Sequence, residues 1–184
     1  MKFWASLIGY EAVWFCTVIG ACHGLAWPGV VGVLVYAAFQ LGLARHYKVD
    51  LCLMLTAIVM GFLLDGGLIR VGLACYAAPW PSAASAPAWI LALWAAFALT
   101  LTQSLSYLQT RLWLAALLGA VGGSLAYLGA ARGWHVVTFA DPVWPALLWL
   151  SVGWALATPS LAWLARRWSG IAAATSIPLQ GHAP

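Results

Sequence analysis

Long apolar runs separated by short polar clusters dominate the chain. A membrane-spanning helix needs about 20 mostly apolar residues. Six stretches qualify: 3–22, 28–44, 50–73, 88–108, 112–131 and 143–164. The breaks fall at His23–Trp27, Arg45–Lys48, Pro79–Ser82, Gln109–Arg111 and Arg132–Pro142. Backbone N–H and C=O groups cannot stay unpaired in hydrocarbon, so each run is expected to be helical. The runs lack the alternation of a barrel strand, which excludes a β-barrel. The pattern therefore predicts an all-α, polytopic membrane protein. It has six transmembrane helices in a compact bundle over 1–168 and a flexible cytoplasmic tail over 169–184. Pro145 falls in the first turn of the last span, and Pro159 is expected to kink that span.

Composition agrees. Hydrophobic residues make up 65% of the 184 and charged ones 7%, against about 25% charged in a soluble domain. The net charge of +4 rests on 8 Lys+Arg and 4 Asp+Glu, too sparse a set for a phosphate-binding face. Soluble, disordered and nucleic-acid-binding classes are excluded. Cations near span ends orient the chain. With the N-terminus inside, Lys2, Arg45, Lys48, Arg111, Arg166 and Arg167 fall inside, and Arg70 and Arg132 outside. Both ends are then cytoplasmic. Tryptophans such as Trp4, Trp27, Trp80 and Trp113 sit near span ends, as in an interfacial belt. Glu11 interrupts the first apolar run, which favours a retained helix over a cleaved leader.

Helices in a bilayer associate through small residues and close contact. Gly20 and Gly24 in the first span, and Gly119 and Gly123 in the fifth, give two small-xxx-small pairs. They serve packing within the bundle or a dimer interface; the oligomeric state is open.

Charged groups at membrane depth cost at least about 2.5–3.5 kcal/mol on insertion scales, which makes them site candidates. Glu11 and Asp65 stand out. Gln40 and Gln103 fall at the depth of Glu11. Thr100, Gln103, Tyr107 and Thr110 follow at spacings of three, four and three, which put them on one helix face. The expected site is an inward polar layer of Glu11, Gln40, Thr100, Gln103 and Tyr107, with Asp65 in the outer half. Tyr127, His23, Arg132 and His135 are the candidate partners of Asp65. Either these groups hydrogen-bond helices together, or the acids carry a proton or act as a general acid.

Other chemistry is not signalled. Cys16, Cys22, Cys52 and Cys75 include no CxxC, and whether Cys22 and Cys75 pair is open. His23, His46, His135 and His182 form no metal motif. No metal or cofactor is expected, and a GxSxG or phosphate-cradling loop does not occur.

Four blocks resemble one bacterial membrane family. They are Phe3-Trp4 with Leu7–Phe15, Gly61–Asp65, Trp89–Ala98 with Thr100-Leu101, and Gly119–Gly123 with Leu125–Tyr127. The family they resemble is catalogued as domain of unknown function 2878. The resemblance implies glutamine at the position of Glu11, an Asn-His pair at Thr102-Gln103 and proline at Ser124. Asp65 follows the family pattern and is the stronger candidate acid. The resemblance also implies a bacterial inner-membrane location and a setting beside lipid-modifying methyltransferases. The leading expectation is an accessory or scaffold protein in acyl-chain modification, with membrane lipid and a lipid-modifying enzyme as partners. A proton-coupled transporter using Asp65 and Glu11 is the alternative, and a membrane lipid enzyme the third.

Overall fold

The computed structural model describes residues 2–44 and 46–175. Arg45 and 176–184, with His182 and most of the expected tail, lie outside the described residues. The fold is mostly helical (78%). Helices α1 (Lys2–Cys22), α2 (Trp27–Leu43), α3 (Tyr47–Arg70) and α4 (Ala88–Thr100) come first. A turn region follows, with a 3-10 segment at Ser106–Thr110. α5 (Leu112–Leu118), a π-helical segment (Gly119–Gly123) and α6 (Ser124–Trp134) form one apolar rod, Leu112–Trp134. α7 (Trp144–Thr175) closes the chain. Four helices are long and apolar enough to cross a membrane: α1, α3, the α5–α6 rod and α7. α2 and α4 are shorter apolar helices.

Local chemistry sets these boundaries. α1 and α3 end alike. Gly24 (φ 75°) and Gly72 (φ 72°) adopt the left-handed conformation. Leu25 N–H then reaches the Gly20 carbonyl, and Leu73 N–H the Leu68 carbonyl, each across five residues. This closes the last turn in a glycine-dependent cap. Gly24 thus terminates α1 and is no packing residue; no atom of another residue lies where its side chain would project. Gly20 is one: a Cβ there would sit 2.9 Å from the Pro28 ring. α7 runs seven residues past the expected end of the bundle at 168. Ala172-Ala173-Ala174 are strong helix formers that carry it on.

Two further expectations are corrected. A small antiparallel ribbon interrupts the all-α pattern. β1 (Ala74–Tyr76) pairs with β2 (Val137–Phe139) in the register Ala74↔Phe139, Cys75↔Thr138, Tyr76↔Val137. It lies across one end of the bundle, the ribbon end. The fourth span also stops being helical at Thr100 instead of 108. Thr100 donates to the Phe97 carbonyl and Thr102 to that of Leu99. The Gln109 amide takes the Leu101 carbonyl. Hydroxyl and amide groups compete for the backbone and turn the chain.

α4 is the centre, packed against α1, α2 and α3. Its Trp89, Trp94, Ala96, Ala98 and Leu99 are almost wholly buried. Outward faces carry large apolar side chains, among them Ile8, Val35, Leu55, Leu63 and Leu156, each more than 60% exposed. An apolar surface of this extent belongs in lipid.

Candidate functional site

Asp65 is completely buried near the ribbon end of α3. Three donors converge on its two oxygens. Tyr76 and Tyr127 each donate a hydroxyl to Oδ1 at 2.6 Å. Trp94 donates its indole N–H to Oδ2 at 2.8 Å. A carboxylate is an acceptor only, and donors to it are charge-assisted. The cluster ties α3, α4, α6 and the ribbon to one side chain. Burial, and then the neighbouring Asp65 carboxylate, push the Tyr76 phenol well above its ordinary value, which keeps it a donor.

Sequence spacing builds this hub. Gly61 precedes Asp65 by one turn on the same face of α3. A Cβ at Gly61 would lie 2.5 Å from Trp94 Cγ and 2.6 Å from its Nε1. Gly61 thus leaves room for the indole whose N–H Asp65 receives. Gly67 does the same for Trp149, whose N–H caps the Leu64 carbonyl at 3.0 Å. Of the four partners expected for Asp65, Tyr127 is the one bonded to it; Tyr76 and Trp94 were not anticipated.

Trp94 leads to a larger feature. Its ring stacks on Trp154 of α7 at 4.0 Å and 12°. Phe97 meets the same Trp154 edge-on at 5.2 Å. These rings form the floor of a groove of about 550 Å³ between α1, α4, the α5–α6 rod and α7. That volume is in the roughly 300–1,000 Å³ range of small-molecule sites. The groove follows α4 from Trp89 to Thr100, about 17 Å at the helical rise. Trp14 of the groove wall packs edge-on against Trp134 (5.3 Å), which also meets Phe15 (5.8 Å). Farther along, Glu11, Tyr107, Leu118 and Gly122 line it and are exposed. The groove therefore opens sideways between α1 and α5.

Three departures from helical regularity meet here: the turn region after α4, the π segment, and Pro159 beside Thr158. Non-helical backbone is tolerated at membrane depth where it is buried or lines a cavity. π segments occur often at functional sites. Gly119 and Gly123 face α7: a Cβ on Gly119 would lie 2.9 Å from Thr158 Cβ, and one on Gly123 2.7 Å from Trp154 Cδ1.

The expected polar layer is only partly assembled. Its one-face geometry needed a helix through residue 110, and that helix is absent. Gln40 is buried and donates to the Tyr36 hydroxyl at 3.0 Å. Tyr36 joins Ser6, and Ser6 meets Ser104 at 3.2 Å. Asp50, not anticipated, is buried and accepts from Thr102 at 2.8 Å. Thr100 is buried on its own helix, Gln103 is half-buried, and Glu11 and Tyr107 are exposed on the groove. Among the described residues no group of three metal ligands occurs, and Cys16, Cys22, Cys52 and Cys75 are all free and exposed.

A second, more open cleft between α3 and α7 is lined by Leu63, Leu64, Trp149, Leu156 and Ser160, among others. Its Ser160 hydroxyl is already bonded to the Leu156 carbonyl.

Neither the curated proteins nor the solved structures contain a match to this chain. The family model described as protein of unknown function (DUF2878) matches residues 3–160, and the chain belongs to that family.

Proposed function

We propose that this is a six-span inner-membrane protein that holds the acyl part of a membrane lipid in the α1–α4–α7 groove. The observation that carries the reading is the groove itself. It is a slot of about 550 Å³, floored by stacked aromatics and open on the lipid-facing side of the bundle. Acyl chains need apolar walls and a lateral entrance, and this groove supplies both. Asp65 lies behind the floor, saturated by three donors. That placement favours a positioning role over a mobile proton carrier.

The shorter helices fit the six-span reading. α4 covers about 20 Å of a core about 30 Å thick, and the turn region after it completes the depth. Lys48, Arg111, Arg166 and Arg167 gather at one end, against Arg70 and Arg132 at the ribbon end. The positive-inside rule puts the former end, with both termini, in the cytoplasm. In this reading the protein presents a lipid chain to a lipid-modifying enzyme and acts as its accessory.

Purification in a mild detergent followed by native mass spectrometry tests the proposal. A lipid of defined mass is expected on the wild type and is lost in Gly122→Leu, which fills the groove. Wild type that gives the same ligand-free spectrum as Gly122→Leu when purified in the same way would count against it.

A further inference from the structure

The groove wall contains two polar atoms without partners. Among the described residues, Trp154 Nε1 and Thr158 Oγ1 are the buried side-chain polar atoms that make no hydrogen bond. Trp154 is 8% exposed and Thr158 1%, and both line the groove. The Trp154 N–H approaches the Tyr127 hydroxyl without closing a hydrogen bond. Thr158 is out of step with similar residues in this fold. Thr17, Thr56 and Ser160 each turn a hydroxyl back to the carbonyl four residues earlier, at 2.7, 2.8 and 2.7 Å. Thr158 has the same option at Trp154 and does not take it. Native proteins rarely leave such groups unpaired, and each unmet group costs about 1–3 kcal/mol. Indole N–H is a donor only, and a hydroxyl can donate. Trp154 and Thr158 are one turn apart on α7, on the same face. Together they are suited to one acceptor oxygen on a groove occupant.

The surroundings narrow the class. Trp154 lies ten residues into α7, about 15 Å from its start, so the acceptor sits deep along the slot. Glu11 opens on the same groove, with no hydrogen-bond partner among the described residues. A carboxylate there repels an anion and disfavours a free fatty acid.

We propose that the groove selects an uncharged oxygenated acyl compound, an ester or alcohol, and that Trp154 Nε1 and Thr158 Oγ1 donate to its oxygen. This rests on the acyl-groove reading and names its ligand class.

The test uses the purified full chain and displacement of a bound photoactivatable alkyl probe by compounds of equal chain length. These are hexadecane, hexadecanol, methyl palmitate and palmitic acid, with a dipalmitoyl phosphatidylethanolamine arm. The ester or alcohol is expected to compete about tenfold better than the hydrocarbon, with about threefold from each donor. Palmitic acid is expected to compete less well than its methyl ester. Thr158→Val is expected to reduce the ester's advantage about threefold or more while leaving hexadecane unchanged. Trp154→Phe acts in the same direction; Thr158→Val keeps the test valid if that indole is needed for folding. A preference shown by the phosphatidylethanolamine identifies a membrane lipid as the source, and one confined to the single-chain compounds a free ester or alcohol. An ester no better than hexadecane, or an ester advantage untouched by Thr158→Val, overturns the proposal while acyl binding stands. Failure of every compound, and of the probe itself, overturns the acyl-groove reading instead.

Discussion

At the scale of single residues, the described part of the fold contrasts a buried acid held by three donors, Asp65, with a buried hydroxyl that has no partner, Thr158. Asp65 receives three hydrogen bonds, each worth roughly 1.5–3 kcal/mol when the acceptor is charged. Asp65→Asn replaces an acceptor oxygen by an NH₂ facing a donor. It is expected to lower stability by about 2–3 kcal/mol, read as a lower midpoint of thermal unfolding in detergent. Tyr127→Phe is expected to cost less, because one of three bonds is lost. If Asp65→Asn unfolds like wild type yet abolishes a proton flux in liposomes, Asp65 is a carrier and not a hub. Thr158→Val runs the other way. It removes an unmet hydroxyl, so stability should hold or rise by about 1 kcal/mol in the same melts. Asp65 was legible in the sequence because an acid inside an apolar run is conspicuous. Its partners were not. Trp94 lies in an unbroken apolar stretch where tryptophan reads as core, and Tyr76 reaches Asp65 from a ribbon that the hydrophobic pattern does not announce.

At the scale of elements, unbroken apolar runs located the six apolar helices found among the described residues, because runs of that length have one solution in lipid. They misjudged the fourth. Thr100, Thr102 and Thr110 turn hydroxyls onto backbone carbonyls three residues earlier, in competition with the helical ladder, and the helix ends where they begin. The single-face layer of Thr100, Gln103 and Tyr107 fell with it. The ribbon escaped notice because strands of three residues are too short for a period to show. Glycine positions carried more information than their number suggests. Gly61 admits Trp94 against α3, and Gly122 faces open space. Gly61→Ala is therefore expected to destabilise by about 1–3 kcal/mol through overpacking, whereas Gly122→Ala should change stability by less than about 0.5 kcal/mol. Equal melting midpoints for the two variants would contradict the packing of α3 on α4.

At the scale of the whole molecule, charge at the two ends predicts orientation. Cys75 lies on the ribbon and Cys52 near the start of α3, the end that carries Lys48; both are free and exposed. In intact cells carrying single-cysteine variants, an impermeant maleimide is expected to label Cys75 and leave Cys52 unlabelled. Label on Cys52 alone would invert the assignment. The central claim concerns what enters the bundle from the side. A photoactivatable phospholipid, with the diazirine on its acyl chain, reports this directly when crosslinked peptides are mapped. The groove account predicts labels concentrated on Leu93, Phe97, Leu118 and Ala126, and their loss in Gly122→Leu. Labels spread evenly over the exposed apolar faces, or gathered at Leu63 and Leu156 in the α3–α7 cleft and unchanged by Gly122→Leu, would contradict it.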